Sequence, residues 1–456
     1  MSLRTTTAII ASKVTKKFLR LLGHGGTTLP GGVALKICPD LLGFLARDVG
    51  CVIITGTNGK TTSARIIEEM FDKAGLPCFA NRSGANLITG VTAEFIDNCT
   101  VTGKPRKAWA ILETDEAASK EICRLTDPEI VLVTNVFRDQ LDRYGEVTHT
   151  LGNIITGIKN SPNAKVCLNA DCSLSVSIAD QVPNEILYFG VDVPIYKDPV
   201  NEVSDASHCI HCKHEYEYSY HTYGHLGGFF CPGCGFKRPE RQLAVTEILS
   251  TDIGSTTVRI DCFGDLEELT INLPGGYNIY NAAGALAVAE LMGFDRGLAR
   301  DAASSFSFGF GRMEQFDLGM TKARMILIKN PAGCNQVLNY LTGLGEKALF
   351  VCCLNDRIAD GTDVSWIWDV NFERLVEMGD RLDAVHVTGL RAYDMAVRLK
   401  YAGIPEDKLR VFDNYDELID AMRSQQLPVV IMPTYTAMME LREKMSAAFG
   451  GRQFWE

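Results

Sequence analysis

No run of the 456 residues approaches the ~18 consecutive apolar residues that a membrane-spanning helix needs. No apolar core of a secretory leader follows the first residues either, so the expectation is a cytoplasmic chain without a spanning helix. Basic surplus is missing too. Forty-five Lys and Arg face 56 Asp and Glu, a net charge of −11, which excludes nucleic acid as the main ligand because backbone phosphates are bound by basic excess. Acid is missing from the first 39 residues, which hold Arg4, Lys13, Lys16, Lys17, Arg20 and Lys36. An organelle transit peptide or a membrane-surface helix has that composition. The plainer expectation is a domain's opening helix with a basic outer face, packed through one stripe of Ile9, Ile10, Val14, Phe18, Leu21 and Leu22. Histidine is scarce: outside residues 205–241 only His24, His149 and His386 occur. Cysteine is not scarce, at 15, but most cysteines lie singly in apolar runs with no export signal before them, and read as reduced core residues.

The length exceeds one compact core and predicts two or three domains. Charged residues at 22% and hydrophobic residues at 46% are those of an ordinary globular protein. Apolar strand-like runs at 51–54, 108–112, 130–133, 164–168, 348–354, 384–387, 410–412 and 429–432 alternate with helical patterns, which predicts parallel sheets in doubly wound α/β domains. A change of character at residues 307–311 marks an expected linker. Residues 205–241 hold five of the eight histidines and two cysteine pairs, and precede a β-rich stretch at 245–273. They read as an insertion.

The apolar run Cys51-Val52-Ile53-Ile54 feeds Thr55-Gly56-Thr57-Asn58-Gly59-Lys60-Thr61-Thr62, the order strand, phosphate loop, helix. Gly56 and Gly59 let backbone approach a polyphosphate, and the helix that follows aims free N–H groups and its positive dipole end at the anion. Lys60 would reach the terminal phosphates and Thr61 would hold Mg2+. The strict phosphate-loop pattern has glycine where Ile54 stands. Glu113 closes the strand-like run Ala110-Ile111-Leu112, where an open α/β sheet places a carboxylate beside the phosphate loop, fit for Mg2+.

Cys209-x2-Cys212 and Cys231-x2-Cys234 are two knuckles separated by 18 residues. Each turn points two thiolates at one ion, and four sulfurs close a tetrahedral shell around Zn2+ with no open position, so the ion is expected to be structural. Exchange of a ligand for His208, His211 or His214 and a nucleic-acid-binding finger are the rivals; Glu215 and Glu217 make a poor phosphate-binding face.

Four ordered segments carry a resemblance: the phosphate loop, Thr134-Asn135-Val136-Phe137-Arg138-Asp139-Gln140-Leu141-Asp142, Gly276-Tyr277-Asn278-Ile279-Tyr280-Asn281-Ala282-Ala283, and Gly311-Arg312-Met313-Glu314. Together they resemble the Mur ligase superfamily, which activates a carboxylate with ATP as an acyl phosphate for attack by an amine. The resemblance implies a central phosphate-loop ATPase domain (1–312) carrying the zinc-ribbon insertion (205–241), and a C-terminal Rossmann-like α/β domain (313–456). It implies ATP binding by Thr57, Asn58, Gly59, Lys60, Thr61 and Thr62, with Asn278 or Asn281 on the nucleotide and Arg312 near the phosphates or ribose. It also implies Mg2+ on Thr61 and Glu113, with Lys60 and Glu113 serving catalysis.

Gln140 and Tyr277 stand where Mur ligases usually carry histidine, and the phosphate loop begins after only 54 residues, without room for their UDP-precursor-binding domain. Lys329-Asn330-Pro331 and the segment from Leu354 to Asp369 replace the usual C-terminal elements. These departures, with the four cysteines, resemble the MurT-type subunit of lipid II isoglutaminyl synthase over essentially the whole chain. That resemblance implies amidation of the α-carboxylate of D-glutamate in the lipid II stem peptide at the inner face of the membrane. It further implies ammonia from a separate class I (GatD-type) glutaminase, and an aspartate, Asp356 with Asp360 and Asp363 as alternates, that completes the partner's Cys-His pair. A turn-capping aspartate is the bland alternative. The chain itself lacks a G-x-C-x-G turn, and Gly333-Cys334-Asn335 is the nearest approach. Trp366 and Trp368 are expected in the core, with partner contact as the sharper option. The alternative function is an amino-acid-adding ligase of the folylpolyglutamate synthase type, and a scaffold without chemistry is the third.

Overall fold

The computed structural model describes residues 2–21, 26–81, 84–138, 147–196, 205–252, 254–273, 275–306, 312–343 and 345–450, with the side chains of Arg312 and Met313 excepted. The chain forms two compact units, one comprising most of the sequence up to Phe306 and the other the sequence from Ser307 on. The expected linker at 307–311 lies outside the described residues.

The first unit is built on a nine-stranded sheet. Its strands are β1 (Gly50–Thr55), β2 (Cys78–Ala80), β3 (Trp109–Glu113), β4 (Ile130–Val133), β5 (Lys165–Asn169) and β6 (Ile186–Val191). After a separate hairpin, β7 (Glu217–Tyr223) and β8 (Leu226–Phe230), come β9 (Leu243–Thr251), β10 (Thr256–Cys262) and β11 (Asp265–Ile271). The order is β11-β10-β9-β6-β5-β4-β1-β3-β2. Strands β1–β6 run as near-continuous Val/Ile/Leu/Cys segments because helices cover both faces, and β6 pairs with β9 in parallel. The remaining edge departs from the expected parallel sheet: β9, β10 and β11 form an antiparallel meander, and β10 alternates buried with half-buried residues, one face being partly wet. The hairpin β7–β8 thus interrupts the chain between two sheet neighbours, as an insertion does.

The helix Leu3–Leu21 lies on the helices Leu29–Ile37 and Ile88–Asp97. It buries Thr5, Ala8, Ile9 and Ser12. The expected packed stripe is therefore corrected. Ile9 is covered, but Ile10, Val14, Phe18 and Leu21 face solvent, because the small residues Ala8 and Ser12, spaced one turn apart, are what let this helix approach its neighbours.

The second unit holds a six-stranded sheet of β12 (Arg312–Asp317), β13 (Lys322–Ile326), β14 (Ala348–Cys353), β15 (Leu382–Thr388), β16 (Leu409–Val411) and β17 (Val429–Pro433). The order is β12-β13-β17-β14-β15-β16, parallel except for β12 at one edge. Alternate residues feed two cores. Phe350, Cys352, Val385, Val387 and Met432 lie in one; Leu349, Val351, Cys353, Val429 and Ile431 lie in the other. Period-two alternation between two apolar layers is what a sheet covered on both faces requires.

Candidate active site and four-cysteine cluster

β1 delivers the phosphate loop at the carboxyl edge of its sheet, flanked by β3 and β4, and the helix Lys60–Lys73 leaves it. Gly59 caps that helix with φ +88, and a Cβ there would stand 2.0 Å from Asn281 Oδ1, so only glycine fits between the loop and the helix Tyr277–Met292. The segment that leaves β4, Thr134 to Phe137, fixes the loop's shape. Thr57 N–H donates to the Asn135 carbonyl and Asn58 N–H to Asn135 Oδ1, both at 3.0 Å, while Thr134 Oγ1 donates to the Asn58 carbonyl at 2.7 Å. Thr57 Oγ1 donates to the Phe137 carbonyl and accepts from its N–H. Threonine and asparagine are needed here because they reach neighbouring backbone in both senses.

Lys60 is buried. Its ammonium donates to the carbonyls of Gly56 and Thr57 and lies 2.7 Å from Glu116 Oε1, a pair in which both side chains are under a tenth exposed. Glu116 opens the helix Glu116–Thr126 and was missed in the sequence. Its one signal is position: three residues beyond the strand-ending Glu113, it crosses the turn to the same edge. Thr61 Oγ1 donates to Glu113 Oε2 at 2.7 Å. Neighbouring ligands of an octahedral Mg2+ at ~2.1 Å stand about 2.9 Å apart, so this hydroxyl and carboxylate fit two adjacent vertices. Asn81 holds Glu113 by both backbone groups, accepting from its N–H at 2.9 Å and donating to its carbonyl at 2.7 Å.

The structure brings Thr57, Asn58, Gly59, Lys60, Thr61, Thr62 and Glu113 together. Asn278 and Asn281 are both buried one helical turn apart; Asn281 Nδ2 donates to Asn278 Oδ1, and Asn281 abuts Gly59. Arg312 begins β12, its side chain outside the described residues, as are Asp139, Gln140 and Asp142.

Cys209, Cys212, Cys231 and Cys234 place their sulfurs within 4.8 Å of one another, with Cys209–Cys234 at 3.6 Å and Cys212–Cys231 at 3.3 Å. Ligand sulfurs ~2.3 Å from a tetrahedral ion lie about 3.8 Å apart, so the four thiols fit one ion, and they are too far apart for disulfides. The two knuckles repeat one geometry. Lys213 N–H donates to the Cys209 carbonyl and Gly235 N–H to that of Cys231, with Lys213 at φ +65 and Gly235 at φ +79. Backbone N–H groups of Cys212 and His211 draw the Cys209 thiol down to about 6 against the upward push of burial. His208, His211 and His214 stay out of the cluster; His211 lies 3.3 Å from Asp180.

The insertion is wired into its unit. Buried Asp171 accepts from Arg238 Nε at 2.5 Å, from Tyr280 OH at 2.5 Å and from Val191 N–H at 2.8 Å. At the hairpin tip, the rings of Tyr223 and His225 lie 5.9 and 4.4 Å from Phe137, the residue whose backbone grips Thr57. Burial drives the His225 imidazole down to about 3.

In the second unit Asp356 follows β14, half-exposed, 3.6 Å from Arg391. Asp360 is buried and takes Thr436 N–H at 2.6 Å, capping the helix Tyr435–Phe449; Asp363 takes Ser365 N–H at 2.8 Å. The two tryptophans sit on the 3₁₀ turn Ser365–Asp369. Trp366 packs on the core as expected; Trp368 does not, standing exposed against Tyr401. Cys334 is wholly buried, its thiol raised far above the usual range by burial, unlike a nucleophile.

Comparison with known proteins matches residues 54–226 to the Mur ligase middle domain and residues 327–438 to the MurT ligase C-terminal family. The chain is 34% identical over 451 residues to lipid II isoglutaminyl synthase (glutamine-hydrolyzing) subunit MurT of Streptococcus pneumoniae, covering 98% of each chain. Its fold matches a pseudomurein peptide ligase type C from Methanothermus fervidus (TM-score 0.68, 18% identity, 90% of this chain and 80% of that one). It also matches Mycobacterium tuberculosis folylpolyglutamate synthase complexed with ADP (TM-score 0.63, 14% identity, 91% and 93%). No helix among the described residues is long and apolar enough to cross a membrane. Identity sustained across both lengths, and family matches in both units, settle the kinship: the chain belongs to the MurT family of Mur ligases.

Proposed function

We propose that this chain is the ATP-dependent amidating subunit of a lipid II isoglutaminyl synthase, converting the α-carboxylate of D-glutamate in the lipid II stem peptide to the amide at the inner face of the membrane. The full-length likeness to the pneumococcal subunit carries this reading. In it, the first unit is the ATP-binding domain, its four cysteines hold a structural Zn2+, and the second is the Rossmann-like C-terminal domain.

The loop N–H groups and Lys60 receive the phosphates; Lys60 exchanges its two carbonyl partners for phosphate oxygens while Glu116 keeps its charge balanced. Thr61 and Glu113 would hold Mg2+, which when bound would supply positive charge for the transferring phosphoryl group. A glutamate carboxylate oxygen attacks the γ-phosphorus and ADP leaves; ammonia then attacks the acyl carbon and phosphate leaves. Asn278 and Asn281 set the loop's rear wall, and Arg312 serves the nucleotide.

Asp356 is read as the residue that orients the histidine of the glutaminase partner. Support comes from position: Asp360 and Asp363 cap local backbone, whereas Asp356 is a half-exposed carboxylate at a strand's carboxyl end, its contact being the surface residue Arg391. Beside it, Leu390, Tyr393, Val397 and Tyr401 recur at helical spacing, all exposed and continuous with Trp368, a surface suited to that partner.

The test is mass spectrometry of lipid II incubated with the chain, ATP, Mg2+ and ammonium. Formation of the carboxamide is the expected result; ATP consumption that requires glutamate instead of ammonium would favour amino-acid addition, the chemistry of the folylpolyglutamate synthases whose fold it shares.

A further inference from the structure

The outward face of helix Leu3–Leu21 is apolar. Leu3, Val14, Phe18 and Leu21 are 86, 62, 60 and 77% exposed, and Ile10 joins them. At 100° per residue these five fall within about a quarter-turn of one line, opposite the buried Thr5, Ala8, Ile9 and Ser12. Exposed Lys17 and Arg20 flank the stripe on one side.

The inner face is fastened. Lys13 donates to the Cys99 carbonyl at 3.0 Å, Lys16 pairs with Asp97, and Arg4 Nε reaches the Ile37 carbonyl at 2.5 Å. The helix is therefore a fixed rib of the first unit, about 28 Å long, rather than a tether.

We propose that this face docks the first unit on an anionic lipid bilayer, its apolar stripe entering the headgroup boundary and its cations meeting lipid phosphates. Charge selects the occupant. In a chain of net −11, the helix carries no acid and its outward cations, Lys17 and Arg20, border the apolar stripe, so the charge of this face suits an anionic surface. A second copy docked by the same face would bring Lys17 and Arg20 against a helix that carries no acid to pair with them, which opposes it. The inference rests on the lipid-linked substrate for its purpose, though its test does not.

The test is flotation of the full chain with vesicles of phosphatidylglycerol and phosphatidylcholine, against phosphatidylcholine alone. Binding to the anionic vesicles that weakens with salt is expected. Val14→Asp with Phe18→Asp, and separately Lys17→Glu with Arg20→Glu, should each weaken it about tenfold or more while leaving thermal unfolding unchanged. Absence of wild-type binding, or equal binding by both variants, overturns the proposal, as does concentration-dependent self-association lost in the variants without any vesicle binding. Amidation of detergent-dispersed lipid II should persist in both variants; its absence in the wild type would count against the functional reading and leave the docking result standing.

Discussion

The phosphate loop and the four-cysteine cluster both arrange ligand atoms in one unit, and they do so in opposite ways. The cluster closes on itself: two knuckles with the same backbone bonds bring four sulfurs within 4.8 Å, and all four coordination positions are protein. The phosphate loop supplies two metal-ligand candidates, Thr61 and Glu113, drawn from segments 52 residues apart and leaving the other vertices open. A closed shell stabilises chain; an open one admits substrate. Each also manages charge differently, since four thiolates would need a bound ion to offset them whereas Lys60 is already neutralised by Glu116.

Breaking the open site should give the largest effect. Lys60→Ala is expected to lower ATP turnover roughly 10²–10³-fold, as loss of a preorganised cation does. It also strands Glu116, at a cost of about 3 kcal/mol. Adding Glu116→Gln should restore thermal stability without restoring turnover, and recovery of turnover would remove Lys60 from the chemistry. Breaking the closed site should act on folding first: Cys231→Ser should abolish a zinc content of about one per chain and lower the melting temperature, since structural zinc contributes on the order of 10 kcal/mol in small fingers. A variant that keeps its metal and its melting temperature would show the cluster to be no binding site. In the other unit, Asp356→Asn should cut glutamine-driven amidation about 10²-fold or more while leaving ammonium-driven amidation within about twofold and the affinity for the glutaminase unchanged, the pattern a triad role produces; equal losses would move Asp356 to the nucleotide.

The smallest expected effect at neutral pH concerns the hairpin between the two sites. His225 falls from 6.5 to about 3 on folding because burial penalises its charged form. The unfolded chain thus binds the extra proton between those values, so the stability contributed by neutral His225 is intact above pH 6.5 and is lost at about 1.4 kcal/mol per pH unit as pH falls towards 3. Melting curves of His225→Phe should be flatter with pH over this window than those of the wild type.

Local chemistry was legible in the sequence. The loop could be read because strand, glycines and Lys-Thr are consecutive, and the knuckles because spacing alone fixes where two thiolates point. Glu116 was not legible: its role arises when β3 lands beside β1, and no motif surrounds it. Nor was the Asp171 node, whose partner Arg238 lies 67 residues away. Helical periodicity identified the amphipathic opening helix but chose the wrong face, since Ala8 and Ser12 rather than the larger apolar residues make the contact. The antiparallel edge strands β9–β11 were visible as β-rich, but their attachment to β6 depends on a neighbour separated from them by the whole insertion.

Phe137 is gripped on both sides, its backbone by Thr57 and its ring by the hairpin tip, where a Cβ on Gly224 would already be 2.7 Å from it. Phe137 is thus the contact through which occupancy of the cysteine cluster would be coupled to occupancy of the phosphate loop. Any factor by which occupancy of the cysteine cluster alters nucleotide affinity must reappear, equal in size, as the factor by which nucleotide alters metal affinity. Titrating either ligand with and without the other measures that coupling free energy, and repeating it on Phe137→Ala gives the share this contact carries.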